Sequence, residues 1–103
     1  MIAKTPKPPY YAVIFTSLRT DVDKAYSETA KRMTELAKQA DGFLGVESAR
    51  EETGITVSYW KDMESIAGWK KNSEHQQAQR SGKEIWYENY KIRICKVERD
   101  YEF

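Results

Sequence analysis

Apolar residues along the chain recur first with the period of a strand, then with that of a helix, and the alternation repeats. The run "YYAVIFTS", 10–17, is rich in β-branched and aromatic residues and predicts a first strand. Tyr11, Val13 and Phe15 fall on one side of it, Tyr10, Ala12 and Ile14 on the other. Both faces are apolar, so this strand is expected to be central and covered on both sides. Within 19–42, Tyr26, Ala30, Met33, Ala37 and Ala40 recur at helical steps with Leu36 beside them, which predicts an amphipathic helix. Asp21 or Asp23 is its candidate N-cap, and Gly42 stands where a C′ glycine would end it.

The runs "FLGVESAR", 43–50, and "ITVSYW", 55–60, flank "EETG" and read as a hairpin. Ile55, Val57 and Tyr59 share one face of the second run. We expect that face to meet the helices, and Trp60, on the other, to face a partner protomer. Asp62 is the next N-cap candidate, with Glu64 in the favourable first turn. Ile66 and Trp69 share an apolar face, but past Lys71 the pattern fails, and Ser73 and Gln76 form a possible capping box. The expectation is a broken helix: one piece near 63–71, a new start near 74, and an end before Gly82. The last strand lies within 87–103. Its apolar phase moves from Tyr90, Ile92 and Ile94 to Cys95, Val97, Tyr101 and Phe103, which predicts a bulge or a change of neighbours.

The order β-α-β-β-α-β is that of the ferredoxin-like fold, an α+β class with a four-stranded antiparallel sheet and both helices on one face. The other face then lacks cover within the chain. Leaving it in water would cost many kcal/mol at roughly 25 cal/mol per Å². A second copy, sheet against sheet about a two-fold axis, is the simplest remedy.

Composition narrows the functional classes. A length of 103 residues suits one domain, with 1–9 as an extended, proline-broken arm and 10–103 as the folded unit. Seventeen basic and sixteen acidic side chains leave a net charge of +1. That lacks the basic surplus usual for nucleic-acid or membrane binding. The RNA-recognition domain shares this strand order, but its third strand should carry an aromatic RNP motif, and "GITVSYW" does not match it. A single cysteine, Cys95, permits no internal disulfide and suits the cytoplasm. No long apolar run and no signal-peptide core are present, so neither a membrane span nor export is expected.

The stretches "GFLGVESAR", "GITVSYWKDMESIAGWK" and "EHQQAQ" resemble the antibiotic biosynthesis monooxygenase domain family of the dimeric α/β-barrel superfamily. The resemblance covers about 10–103. It implies two ferredoxin-like protomers pairing into a barrel, each with a cavity between sheet and helices. One branch of the family oxidises aromatic polyketides or quinols with O₂ and neither metal nor flavin. Another degrades haem with a first-strand asparagine, a second-helix tryptophan and a histidine ligand to iron. Trp69 matches that tryptophan. The ligand position, ten residues on, holds Gln79, His75 comes one helical turn early, and the first strand has no asparagine.

The resemblance therefore implies a cofactor-independent monooxygenase acting on a small electron-rich aromatic, as a homodimer. The alternatives are a haem-binding or haem-degrading enzyme and a non-catalytic dimer that binds a small ligand. His75 and Trp69 are the candidate catalytic residues; Tyr59 and Trp69 are the candidate substrate-binding ones. Each also has a structural reading. Trp69 and Tyr59 can be core, and His75, in a polar segment, can be a surface residue or a general base. Trp69 is expected to line the cavity with Tyr59 nearby and His75 at its mouth. Glu47 is expected in a cross-strand ion pair and Cys95 buried and inert.

Overall fold

The structure, a computed structural model, describes residues 2–23 and 25–103, with the backbone alone at position 73. The elements are β1 (Tyr10–Arg19), α1 (Tyr26–Gln39), β2 (Phe43–Arg50), β3 (Thr53–Trp60), α2 (Met63–Lys70), α3 (Ser73–Ser81), a π-helical turn (Gly82–Trp86) and β4 (Tyr87–Val97). The strands form one antiparallel sheet in the order β2-β3-β1-β4. This is the ferredoxin-like βαββαβ arrangement the periodicities imply. No described helix is long and apolar enough to cross a membrane.

Local chemistry explains most boundaries. The Asp62 carboxylate caps α2, its Oδ1 accepting the Ser65 N–H at 2.8 Å and the Ser65 hydroxyl at 2.7 Å. The expected helix break is present at Lys71–Asn72, but the cap differs. Asn72, not Ser73, precedes the first turn of α3, and its Oδ1 accepts the His75 N–H at 3.1 Å; the Ser73 side chain lies outside the described residues. The start of α1 also differs. Neither Asp21 nor Asp23 caps it with a side chain. Ala25 occupies the N-cap position in the left-handed region at φ 58° and makes no side-chain cap bond, while the Asp23 carboxylate is taken by Arg19 at 3.3 Å. Gly42 lies beyond the α1 C-cap, Ala40, rather than at C′. It is needed twice over: its φ is 79°, and a Cβ would fall 1.9 Å from Ser65 Oγ.

The last strand corrects a further expectation. β4 pairs with β1 without a break from Asn89 to Val97, and the register shift lies at Leu18/Arg19. The change of apolar phase is therefore no bulge. Ile92 and Ile94, 40% and 50% exposed, lie on an open part of the helix side, whereas Cys95 and Val97 are half-buried on the other.

Register fixes the two faces. Trp60 pairs with Tyr11 and Phe43 on the side that meets the helices. Tyr59 pairs with Ala12 and Gly45 on the helix-free side. Both assignments invert the sequence expectation. Trp60, 1% exposed, is the most buried large side chain and does not point to a partner; Tyr59 is not on the helix side. Period two says that two faces alternate but not which one meets the helices, and a wrong choice flips every side chain. The decoy was the Ile55–Val57–Tyr59 row, whose Ile55 is 45% exposed.

The helix-free face is covered at one end by the chain itself. The Ala3 N–H donates to Glu47 Oε2 at 2.9 Å, and Tyr10 OH donates to Asp100 Oδ2 at 2.5 Å. Among the described residues Glu47 forms no cross-strand ion pair; its Oε1 accepts the Tyr59 hydroxyl at 2.6 Å. Ile14, Val57, Ile55 and Ala49 lie along the other end of the same face, where Ile55 and Ala49 are exposed.

Candidate functional site

The end of β3 and the two short helices after it build a row of rings. Phe43 meets Trp60 edge-on at 5.4 Å between centroids. Trp60 lies near-parallel to Trp69 at 6.0 Å and 29°, and Trp69 to His75 at 4.5 Å and 21°. The row leads from the buried core at Trp60 to the first turn of α3. Trp60 Nε1 donates to Ser58 Oγ at 2.9 Å, so its one polar atom is satisfied inside.

His75 is the titratable end of the row. It is half-buried rather than a surface residue. Its Nδ1 stands 3.1 Å from the Trp69 carbonyl oxygen. A carbonyl can only accept, so Nδ1 carries the proton and, in the neutral ring, Nε2 holds the lone pair. Burial pushes the imidazole pKa below its ordinary value of 6.5, against the opposing pull of the Trp69 carbonyl. The ring is thus held neutral at pH 7, in one tautomer, with a basic nitrogen. The helix break makes this possible: Asn72 caps α3 and carries His75 back over Trp69, six residues earlier.

Trp69 is half-buried and lines an open groove of about 520 Å³ with Gly42, Lys61, Asp62, Ser65 and Asn72. Trp69 and His75 are brought together by their stack, but His75 does not line this groove, and Tyr59 is not with them. Tyr59 stands edge-on to Tyr10 at 5.9 Å across the helix-free face. Burial, then its hydrogen bond to Glu47, pushes its hydroxyl pKa up to about 12. A phenol held so far from ionisation beside a carboxylate is a structural clasp for the N-terminal arm. The same bond and the Ala3 N–H hold the Glu47 carboxyl below its usual range.

Sequence reasoning passed over Trp60 as a member of the site. Its spacing to Trp69 was visible, but the face it occupies was not. It also passed over a second group of aromatic and basic side chains at the opposite end of β1, described below.

Gln79 is half-buried on α3 at the position implied for the haem ligand, one helical turn after His75. Among the described residues, no three His, Cys, Asp or Glu side chains gather as metal ligands would.

Comparison with known proteins now places the chain. The antibiotic biosynthesis monooxygenase model matches residues 9–81. The chain belongs to the antibiotic biosynthesis monooxygenase family. An uncharacterized protein of Bacillus subtilis (strain 168), YqjZ, is 53% identical over 100 residues, covering 95% of this chain and 88% of its own. Among solved structures, Rv0793 of Mycobacterium tuberculosis superposes with a TM-score of 0.79 at 9% identity, over 90% of this chain and 99% of its own. SnoaB of Streptomyces nogalater, a cofactor-independent oxygenase, superposes with a TM-score of 0.76 at 7% identity, over 90% and 97%. At such identities the structural likeness speaks for the fold alone. Membership of the antibiotic biosynthesis monooxygenase family supports a monooxygenase-like role.

Proposed function

We propose that the protein is a cofactor-independent monooxygenase of a small electron-rich aromatic, a quinol or polyphenol with a free ring position. One observation carries the reading: a neutral imidazole of fixed tautomer lies face to face with Trp69. The part of Trp69 that lines the groove offers apolar wall for a small aromatic. His75 Nε2 accepts the phenolic proton. The phenolate then passes an electron to O₂, and the resulting pair forms a carbon–oxygen bond at the free ring position. Breaking the O–O bond leaves one oxygen on the carbon as a quinone carbonyl. The other leaves as water with the phenolic and ring hydrogens. The substrate supplies all four electrons, so neither metal nor flavin is required.

Aerobic incubation with a quinol panel under ¹⁸O₂, followed by mass spectrometry, tests this. The expected product gains one labelled oxygen. Ligand binding without O₂-dependent turnover would instead make the protein a small-molecule-binding module.

The same family resemblance, with the exposed Ile55 and Ala49 end of the helix-free face, supports a homodimer paired sheet to sheet. It should bury more than about 1,200 Å² in total. Sedimentation at micromolar concentration should give a dimer, and a monomer there would sink the pairing. Haem should bind weakly: adding one equivalent of haemin should give no sharp shifted Soret band and no ring-opened product. Regiospecific ring opening would overturn the cofactor-free reading.

A further inference from the structure

The helix side of the sheet, at the opposite end of β1 from Trp60, holds a cluster that the oxygenase reading does not use. Arg50, Gly54, Ser17 and Tyr90 lie in register across all four strands. Arg50 and Ser17 are separated by one strand, about 10 Å of backbone. Gly54 stands between them, and a Cβ there would fall 2.0 Å from Arg50 Nη2 and 2.1 Å from Cζ. The guanidinium therefore lies across the bare glycine and donates to Ser17 Oγ. Ser17 is 2% exposed, while Arg50 remains open to solvent. The ion pairs of the described residues engage Arg19 and Arg32, and none engages Arg50. Its charge is pinned in place yet has no carboxylate partner among the described residues.

Around it the surface is aromatic. Phe15, two residues before Ser17 on the same face, meets Tyr87 edge-on at 5.3 Å and Tyr90 at 5.2 Å and 56°. Tyr87 OH donates to Tyr26 OH at 3.1 Å, and Arg19 stacks over the Tyr26 ring at 3.4 Å. Arg19 is already committed to the Val22 and Trp86 carbonyls and to Asp23. Burial, chiefly, raises the Tyr87 phenol pKa, with the Arg50 and Arg19 charges opposing it. The phenol so stays protonated and able to donate. Ile92, in register with Phe15, extends the surface as an open apolar shelf.

We propose that Arg50, laid across Gly54 onto Ser17, anchors the carboxylate of an aromatic acid whose ring rests against Phe15, Tyr87 and Tyr90. A guanidinium matches a carboxylate in planar, two-bond geometry, and the aromatic edges select a flat ring over an aliphatic acid. The inference is independent of the oxygenase reading: this site lies at the other end of β1 from Trp69 and His75, and binding here needs no turnover.

The test uses 1-hydroxy-2-naphthoate and its uncharged counterpart 1-naphthol as probes, titrated calorimetrically without oxygen. The naphthoate should bind the protein at least about tenfold more tightly than the naphthol, the scale of a charge-assisted pair. Arg50→Gln should abolish that preference while leaving naphthol affinity within about twofold. Gly54→Ala keeps the charge but moves the guanidinium off its seat, and should also weaken naphthoate alone. Circular dichroism and melting of each variant show that the fold survives. Naphthoate binding that is absent in the parent protein, or unchanged in both variants, would overturn the site. So would loss of the dimer in Arg50→Gln with naphthoate binding intact, since Arg50 would then serve the partner. Absence of turnover with every quinol would refute the oxygenase reading and leave these affinities standing.

Discussion

Replacing Trp60 by alanine should destabilise the fold by about 3–5 kcal/mol, the cost of emptying a large buried aromatic site. Trp60 is 1% exposed, lies between Phe43 and Trp69, and keeps its indole N–H on Ser58. Its loss opens a void under α2, removes two ring contacts and leaves the Ser58 hydroxyl without its donor. For a chain of this length the melting temperature should fall by more than about 10 °C at fixed protein concentration. The test also separates the two faces. A side chain buried within the protomer costs protomer stability and leaves dimer dissociation nearly unchanged. If Trp60→Ala melted normally but fell apart into monomers, the tryptophan would belong to the interface after all. Trp69→Ala should cost less, because Trp69 is only half-buried.

That contrast marks what the sequence could and could not convey. Element order, the helix break and the Asp62 cap are local, each written in a few neighbouring residues, and all are found where expected. Face assignment is not local. β3 offers Ile55–Val57–Tyr59 on one side and only Trp60 among polar residues on the other, so counting apolar residues favours the wrong side. The deciding contacts come from far along the chain. Ala3 and Asp100 close over the Tyr59–Tyr10 side, and Trp69 stacks on Trp60. The Asn72 cap was a near miss of one residue, with Ser73 offering an equally good side chain by type. The Arg50 seat was illegible for a different reason. It depends on a glycine one strand away and a serine two strands away, a row that exists only once register is known.

The candidate active site follows the same division. Trp69 and His75 are close in sequence, and the break between α2 and α3 is what turns nearness into stacking. A continuous helix would turn residues six apart through about 600° at 100° per residue, leaving them about 120° apart around its axis. Resetting the phase at Asn72 instead brings the imidazole over the indole and sets Nδ1 on the Trp69 carbonyl, 3.1 Å away. The helix break is therefore what fixes the His75 tautomer.

Replacing His75 by alanine should lower the rate on any quinol the protein oxygenates by about 10²-fold or more, the scale of a lost general base. The pH profile makes the prediction sharper. Burial sets the folded pKa of His75 below 6.5. In the parent protein, the acid limb of kcat/KM should have its midpoint below pH 6.5, where Nε2 takes its proton. The alanine variant should lose that acid limb, and it should be partly rescued by added imidazole. Stability follows with the same sign. Above pH 6.5 the ring is neutral in both folded and unfolded chains, and the stacked imidazole contributes in full. As pH falls from 6.5 towards the lowered folded pKa, the unfolded chain takes up a proton first, and that contribution drains away. Melting scans across this window should show the parent protein losing stability that His75→Ala never had. Equal activity in the two proteins, with the same acid limb, would strip the histidine of its catalytic role. The Trp69–His75 stack would then be a helix clamp, and the base would have to be sought elsewhere on the helix side of the sheet.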